Sequence, residues 1–259
     1  GAYPGALLDE RAGTIQPLAY ARGLARAAVK AGTRLFTASP VVSSESEGNG
    51  WRVRTAGGSV VADWVVVATN AYTAAPWPAV REEILHLPYF NFATVPLAGE
   101  ALQRILPGRE GVWDTKTILS SMRRDRQGRL VFGSVGALRG TGMAVHRAWA
   151  KRELARLFPF LGDVAFESAW YGKIGMTVDA TPRFHRFARN VVGFSGYNGR
   201  GISPGTVFGR CLARLIAGEI GEEDLPLPVT DPRAQSFRAL REGYYEAGAQ
   251  VAHFFGARL

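Results

Sequence analysis

The chain has 259 residues, with 31 Lys and Arg against 22 Asp and Glu, a formal net charge of +9. That length holds one large domain or two intertwined ones, and 47% hydrophobic with 20% charged residues excludes a disordered chain. No apolar run approaches the roughly 18 residues a bilayer-spanning helix needs, and the single cysteine, Cys211, excludes a disulfide framework and a cysteine-based zinc site.

Pro17 to Ala31 reads as a helix. Leu18, Ala21, Leu24 and Ala28 recur at helical spacing, Pro17 suits the first turn, and Gly32 suits the position past the end. Arg34–Thr37 reads as a short strand. Val41–Glu47 and Trp51–Thr55 flank Gly48-Asn49-Gly50, a hairpin signal. Val60–Thr69 is apolar nearly throughout and predicts one strand buried on both faces. Ile84–Leu97 reads as a long strand, and Thr117–Arg124 with Arg129–Ser134 as a second hairpin. A helix follows over Ala144–Phe158, where Trp149 and Leu154 share a face, then a strand over Val164–Tyr171. The last third predicts strand Asn190–Ser195, a glycine-rich loop, helix Ser203–Ala217, and a final helix over Arg233–Phe255. The expected class is α/β: a partial, Rossmann-like domain over residues 1–86 and 184–259, interrupted by a mostly antiparallel sheet domain over 87–183.

Of the 31 cations, 27 are Arg. They are scattered instead of forming a stripe, which favours a solvated surface with anion contacts over nucleic-acid binding. Gly1-Ala2-Tyr3-Pro4-Gly5 has neither a basic start nor an apolar core, so no secretion signal is read and a cytoplasmic location is expected. His86, His146, His185 and His253 stand alone in sequence, and no metal is expected.

Gly201-Ile202-Ser203-Pro204-Gly205 matches the G-x-S-x-G pattern of serine hydrolases, but that reading fails. The residue after the nucleophile must donate its backbone N–H to the oxyanion, and Pro204 has none. The wider stretch Gly196-Tyr197-Asn198-Gly199-Arg200-Gly201-Ile202 lies between a strand and a helix. Glycines there let backbone approach a flat or anionic group, and the helix start adds unpaired N–H groups. A tight turn with no ligand fits the same pattern. Thr69, Asn70 and Ala71 close an apolar strand, where ligands of open α/β sheets collect; an ordinary strand exit fits equally.

Together these segments resemble the flavin-dependent D-amino-acid oxidase/glycine oxidase family, in particular its γ-glutamylputrescine oxidoreductase type. Residues 5–17, Val67–Tyr72, Trp170–Pro182 and Gly196–Ile202 carry the likeness. The family's opening G-x-G-x-x-G unit, which holds the FAD pyrophosphate, has no counterpart in this sequence. The resemblance therefore implies the C-terminal portion of such an enzyme. It implies FAD as cofactor, with Val41 at the adenosine end, Thr69, Asn70 and Ala71 along the molecule, and Gly196, Tyr197, Asn198, Gly199, Arg200, Gly201 and Ile202 under the flavin ring. The implied reaction oxidises the C–N bond of a small amine or amino acid by hydride transfer to flavin N5, followed by imine hydrolysis. No catalytic side chain is assigned, because the cofactor carries the chemistry. Tyr89, Asn91 and Arg123 are the substrate-facing candidates; Arg123 can pair with a carboxylate through two parallel hydrogen bonds, or it is a surface arginine in a basic turn. The alternative is an inactive truncated remnant or partner-binding module. On either reading the chain alone is expected to self-associate and not to retain stoichiometric FAD, its expected partner being a complementary N-terminal segment.

Overall fold

The structure, a computed structural model, describes residues 2–256. The chain forms two compact units. One contains the residues up to Ala21, Leu87–Gly172 and those from Glu242 onward; the other contains Arg22–His86 and Lys173–Arg241. The elements in chain order are α1 (Pro17–Lys30), β1 (Val41–Glu47), β2 (Gly50–Thr55), β3 (Gly58–Ala62), β4 (Val65–Val67), α2 (Pro78–Glu83), β5 (Leu85–Pro96) and α3 (Gly99–Arg104). There follow β6 (Val112–Trp113), β7 (Ser120–Arg124), β8 (Arg129–Val135), α4 (Gly142–Leu157), β9 (Phe166–Met176), β10 (Arg183–Ala188), β11 (Val191–Ser195), α5 (Ile202–Ile216), β12 (Val229–Thr230) and α6 (Arg238–Phe255).

The first unit is built on a five-stranded sheet of order β6-β7-β8-β5-β9. Side chains alternate across it, so Phe90, Phe92, Met122, Leu130 and Phe132 share one face and pack with Trp149, Ala150 and Leu154 of α4. Two buried histidines fasten α6 to this core. The Ser134 hydroxyl donates to the Leu119 carbonyl, 2.7 Å away, so its oxygen accepts from Nε2 of His253 at 3.3 Å. Nδ1 of His253 then has only a lone pair, and Nδ1–H of His146 donates to it at 2.8 Å. One carbonyl thus fixes both tautomers. Burial lowers His146 to a pKa of about 4. Burial, with the nearby His146 and Arg152, lowers His253 to about 3.

The second unit carries two sheets. β1, β2 and β3 form an antiparallel meander, and Glu47 pairs with Gly50, leaving Gly48-Asn49 as a two-residue loop with Gly48 at φ +59°. A positive φ at the first loop position is what such hairpins need. The other sheet has the order β12-β10-β11-β4, with β11 parallel to β4 and antiparallel to β10. Phe184, Val192, Phe194 and Leu212 form one cluster there, while Val65, Val67, Val80 and Val191 form another. Trp51 links the meander to this sheet by donating from Nε1 to the Arg189 carbonyl at 2.8 Å. His185 and Glu83, both buried, meet at 2.6 Å and tie β10 to the end of α2.

Two sequence expectations are corrected. Val60–Thr69 is not one strand buried on both faces: it breaks at Asp63-Trp64 into β3 and β4, which belong to different sheets. Val60 and Val61 are more than half exposed, and in β4 only Val65 and Val67 are buried. Composition reports an apolar run but cannot report a change of pairing partner within it. Arg34–Thr37 forms no strand, because no other strand pairs with it.

Candidate functional site

Because β4 and β11 run parallel with Val67 opposite Gly193, their carboxyl ends emerge side by side. This is the position where ligands collect in sheets of this kind. Thr69, Asn70 and Ala71 leave β4, and Gly196 leaves β11. Asn70, at φ +42°, accepts the Gly196 N–H on its Oδ1 at 2.9 Å, so one carboxamide joins the two strand exits. Ala71 is buried, and the Thr69 and Thr73 hydroxyls lie 2.6 Å apart.

Asn198 locks the loop that follows. Its Oδ1 accepts from Thr177 N at 2.9 Å, its Nδ2 donates to Thr177 Oγ1 and to the Gly196 carbonyl, and its own N–H donates to the Gly175 carbonyl at 3.1 Å. The chain path needs Gly196, Asn198 and Gly199 at φ +75°, +52° and +81°. Only glycine and, less readily, asparagine accept such values without strain. Gly196 has a second constraint: a Cβ would sit 2.5 Å from Thr177 Cγ2. Burial raises the Tyr197 hydroxyl above its usual pKa, and its ring packs at 4.7 Å from Phe194. Gly201 then caps α5. The amides of Ile202 and Ser203 lie in the first turn, where no intrahelical acceptor exists, and Pro204 has no N–H to satisfy. The loop therefore presents backbone donors and the positive end of a 15-residue helix from a shape held by side-chain amides. Arg200 is exposed, and Val41 is half-buried at the start of β1, opposite Thr55.

Of the residues read from sequence, the structure brings Asn70, Gly196 and Asn198 into one hydrogen-bonded group and places the first-turn amides beside them. Sequence reasoning missed Thr177 as the group's hub, because it lies 21 positions from Asn198 and only the fold brings them together. A cavity of about 430 Å³ opens beside Thr177, lined also by Glu83, Asp179, Arg183, Thr230 and Arg233. None of the residues expected along the cofactor lines it.

The other candidates share the face of the five-stranded sheet opposite the aromatic core. Tyr89 and Asn91 lie on β5, and Arg123 lies on β7, with β8 between them. The Tyr89 hydroxyl donates to Ser121 Oγ at 2.7 Å, and Arg123 Nη2 donates to Asn91 Oδ1 at 3.1 Å. Burial raises the Tyr89 pKa, against the lowering effects of Ser121 and Arg123. Ser121 gave no signal in sequence. No group of three or more metal-ligating side chains occurs among the described residues, and no helix among them is long and apolar enough to cross a membrane.

The sequence model of the FAD dependent oxidoreductase family matches residues 1–215. The chain is 31% identical over 221 residues to a probable oxidoreductase, OrdL, of Haemophilus influenzae, covering 84% of this chain and 50% of that one. It is 29% identical over 253 residues to the gamma-glutamylputrescine oxidoreductase of Escherichia coli, covering 94% and 59%. Among solved structures, glycine oxidase from Geobacillus kaustophilus superimposes with a TM-score of 0.62 at 22% identity, over 78% of this chain and 54% of that one. L-proline dehydrogenase from P. horikoshii gives 0.65 at 17% identity, over 93% and 60%. These two share the fold. The chain spans about half the length of the curated relatives it matches.

Proposed function

Because this chain belongs to the family of FAD-dependent oxidoreductases, we propose that it forms the flavin-side and substrate-side parts of an enzyme that oxidises a C–N bond of an amine or amino acid. The observation that carries this reading is the locked loop at the paired carboxyl ends of β4 and β11. Glycines stand at 196, 199 and 201 in it, and the first-turn amides of Ile202 and Ser203 open a long helix. Such a surface fits a flat ring whose edge becomes anionic on reduction, and FAD, when bound, supplies the acceptor for the hydride leaving the substrate's α-carbon.

In this reading Gly196–Ile202 would hold the flavin ring, and the first-turn amides of α5 would favour the negative charge the cofactor carries when reduced. The backbone of Thr69, Asn70 and Ala71 would contact the cofactor along its length, and Val41 would contact its adenosine end. The carboxamides of Asn70 and Asn198 shape the loop, since their oxygens already have partners within it. Tyr89, Asn91 and Arg123 orient the substrate. Hydride loss from a neutral amine would leave an iminium ion, which water hydrolyses to a carbonyl compound and ammonia or an amine, so no side-chain nucleophile is needed.

A second reading is a module that takes up FAD only together with a separate N-terminal segment. It is favoured by one feature: β4 is an edge strand, with Val66 43% exposed, and open edges invite a pairing strand. Absorbance spectra of the purified chain, with and without a co-expressed N-terminal segment of a relative, separate the two. A flavin band in either preparation that bleaches anaerobically on adding amine supports the first reading. A band that forms only on co-expression and does not bleach supports the second. A colourless protein in both preparations overturns them both.

A further inference from the structure

We propose that the cavity beside Thr177 is a binding site for a free α-amino acid, held by Arg233 at its carboxylate and by Asp231 at its ammonium group. The inference goes beyond the oxidoreductase reading, because none of the residues expected to touch cofactor or substrate lines this cavity. Its volume of about 430 Å³ lies in the range of small-ligand sites, roughly 300–1,000 Å³. Every lining residue belongs to the second unit. One wall is backbone held in place before any ligand arrives. β12 pairs with β10 at Thr230, the Arg233 N–H donates to Glu83 Oε1 at 3.3 Å, and the Gln235 N–H donates to the Glu82 carbonyl at 2.9 Å. Asp231 and Arg233 thus project from a segment fastened at 230, 233 and 235, which spares a ligand the cost of ordering it.

The ligand class follows from the charges that remain once the internal pairs are set aside. Asp179 takes Arg183, whose Nη2 donates to its Oδ2 at 2.7 Å, while Arg183 Nη1 donates to the Thr181 carbonyl at 3.1 Å. Glu83 is buried, and both its oxygens are engaged, one by the Arg233 N–H and the other by His185 at 2.6 Å. Asp231 and Arg233 are left. Both are exposed, and neither side chain pairs with the other or with any third group among the described residues. One open carboxylate and one open guanidinium on the same wall match a ligand that carries both signs. The planar fork of Arg233 fits the two oxygens of an α-carboxylate, and the Asp231 oxygens accept from an ammonium group. Val178, Pro182, Leu227 and Pro228 add an apolar lining that suits a hydrocarbon or aromatic side chain. A ligand of one sign would leave one of the two charges unanswered.

The test needs no flavin, so its failure would leave the oxidoreductase reading standing. L-Phenylalanine is titrated into the isotope-labelled chain while the backbone amides of Val178, Thr230 and Arg233 are followed. The controls are 3-phenylpropanoate, which lacks the amino group, and 2-phenylethylamine, which lacks the carboxylate. L-Phenylalanine is expected to shift the three amides saturably, and each control to bind at least about fivefold more weakly, having lost one charged contact. Asp231→Asn and Arg233→Gln should each weaken phenylalanine binding by a similar factor with the unfolding midpoint unchanged, because both side chains are exposed and unpaired. A purely structural effect is separated by the controls: Asp231→Asn should not weaken 3-phenylpropanoate, and Arg233→Gln should not weaken 2-phenylethylamine. Absence of a saturable shift, a control that binds as well as phenylalanine, unchanged phenylalanine affinity in either variant, or shifts confined to Tyr89 and Asn91 would overturn the proposal.

Discussion

The aromatic face of the five-stranded sheet and the loop at the ends of β4 and β11 are ordered by different forces. The first is apolar packing: Phe90, Phe132, Trp149 and Leu154 are 5% exposed or less, and the Trp149 ring meets Phe132 tilted at 5.3 Å and Phe90 edge-on at 6.2 Å. The second has few large side chains inside it. Its shape depends on Asn70, Thr177 and Asn198 satisfying backbone groups, and on residues that tolerate positive φ. Substitutions in the first should therefore appear as lost stability, and substitutions in the second as lost site geometry with the fold kept.

Phe132→Ala tests the packed region with the largest expected effect. Emptying a fully buried ring site typically costs about 3–5 kcal/mol, readable as a lower midpoint in urea unfolding. A loss below about 1 kcal/mol would mean that this face is not the stabilising core, because exposed sites behave that way.

Acid probes the same region through its histidines. Both His146 and His253 have folded pKa values depressed below the ordinary 6.5, so the folded state favours their neutral forms. The unfolded chain takes up their protons first as pH falls. Their stabilisation is complete above pH 6.5 and is lost on descending through pH 4 to 3. At 1.36 kcal/mol per pKa unit, the loss from pH 7 to 4.5 is roughly 2 kcal/mol for each histidine. Replacing both with asparagine should flatten the stability profile over that interval. A profile unchanged by the double substitution would show that carboxylates govern it.

Gly199→Val sharpens the contrast from the other side. A branched side chain at φ +81°, with its Cβ 3.3 Å from Ile174 Cδ1, costs on the order of 1–3 kcal/mol locally. The expected result is a fall in the unfolding midpoint smaller than that of Phe132→Ala, with faster amide hydrogen exchange across Gly196–Ile202 and weaker flavin uptake. A large fall in the midpoint with unaltered loop exchange would erase the distinction between the two regions.

The sequence by itself determined the elements whose signals are local. Pro17 and Gly32 bracket α1, the periodicity of 144–158 gives α4, and Gly48-Asn49 gives the first hairpin, because caps, turns and helical spacing act over a few residues. It also marked the glycine-rich stretch before α5, since only backbone freedom explains that composition. Tertiary structure alone decided the rest. It split Val60–Thr69 between two sheets, paired His146 with His253 across 107 positions, brought Thr177 to Asn198, and set Gly133 between two hydrogen bonds that span β8. Each of these depends on strand register and on which strands become neighbours. Those are fixed by the burial of whole faces, and no short window of residues carries that information.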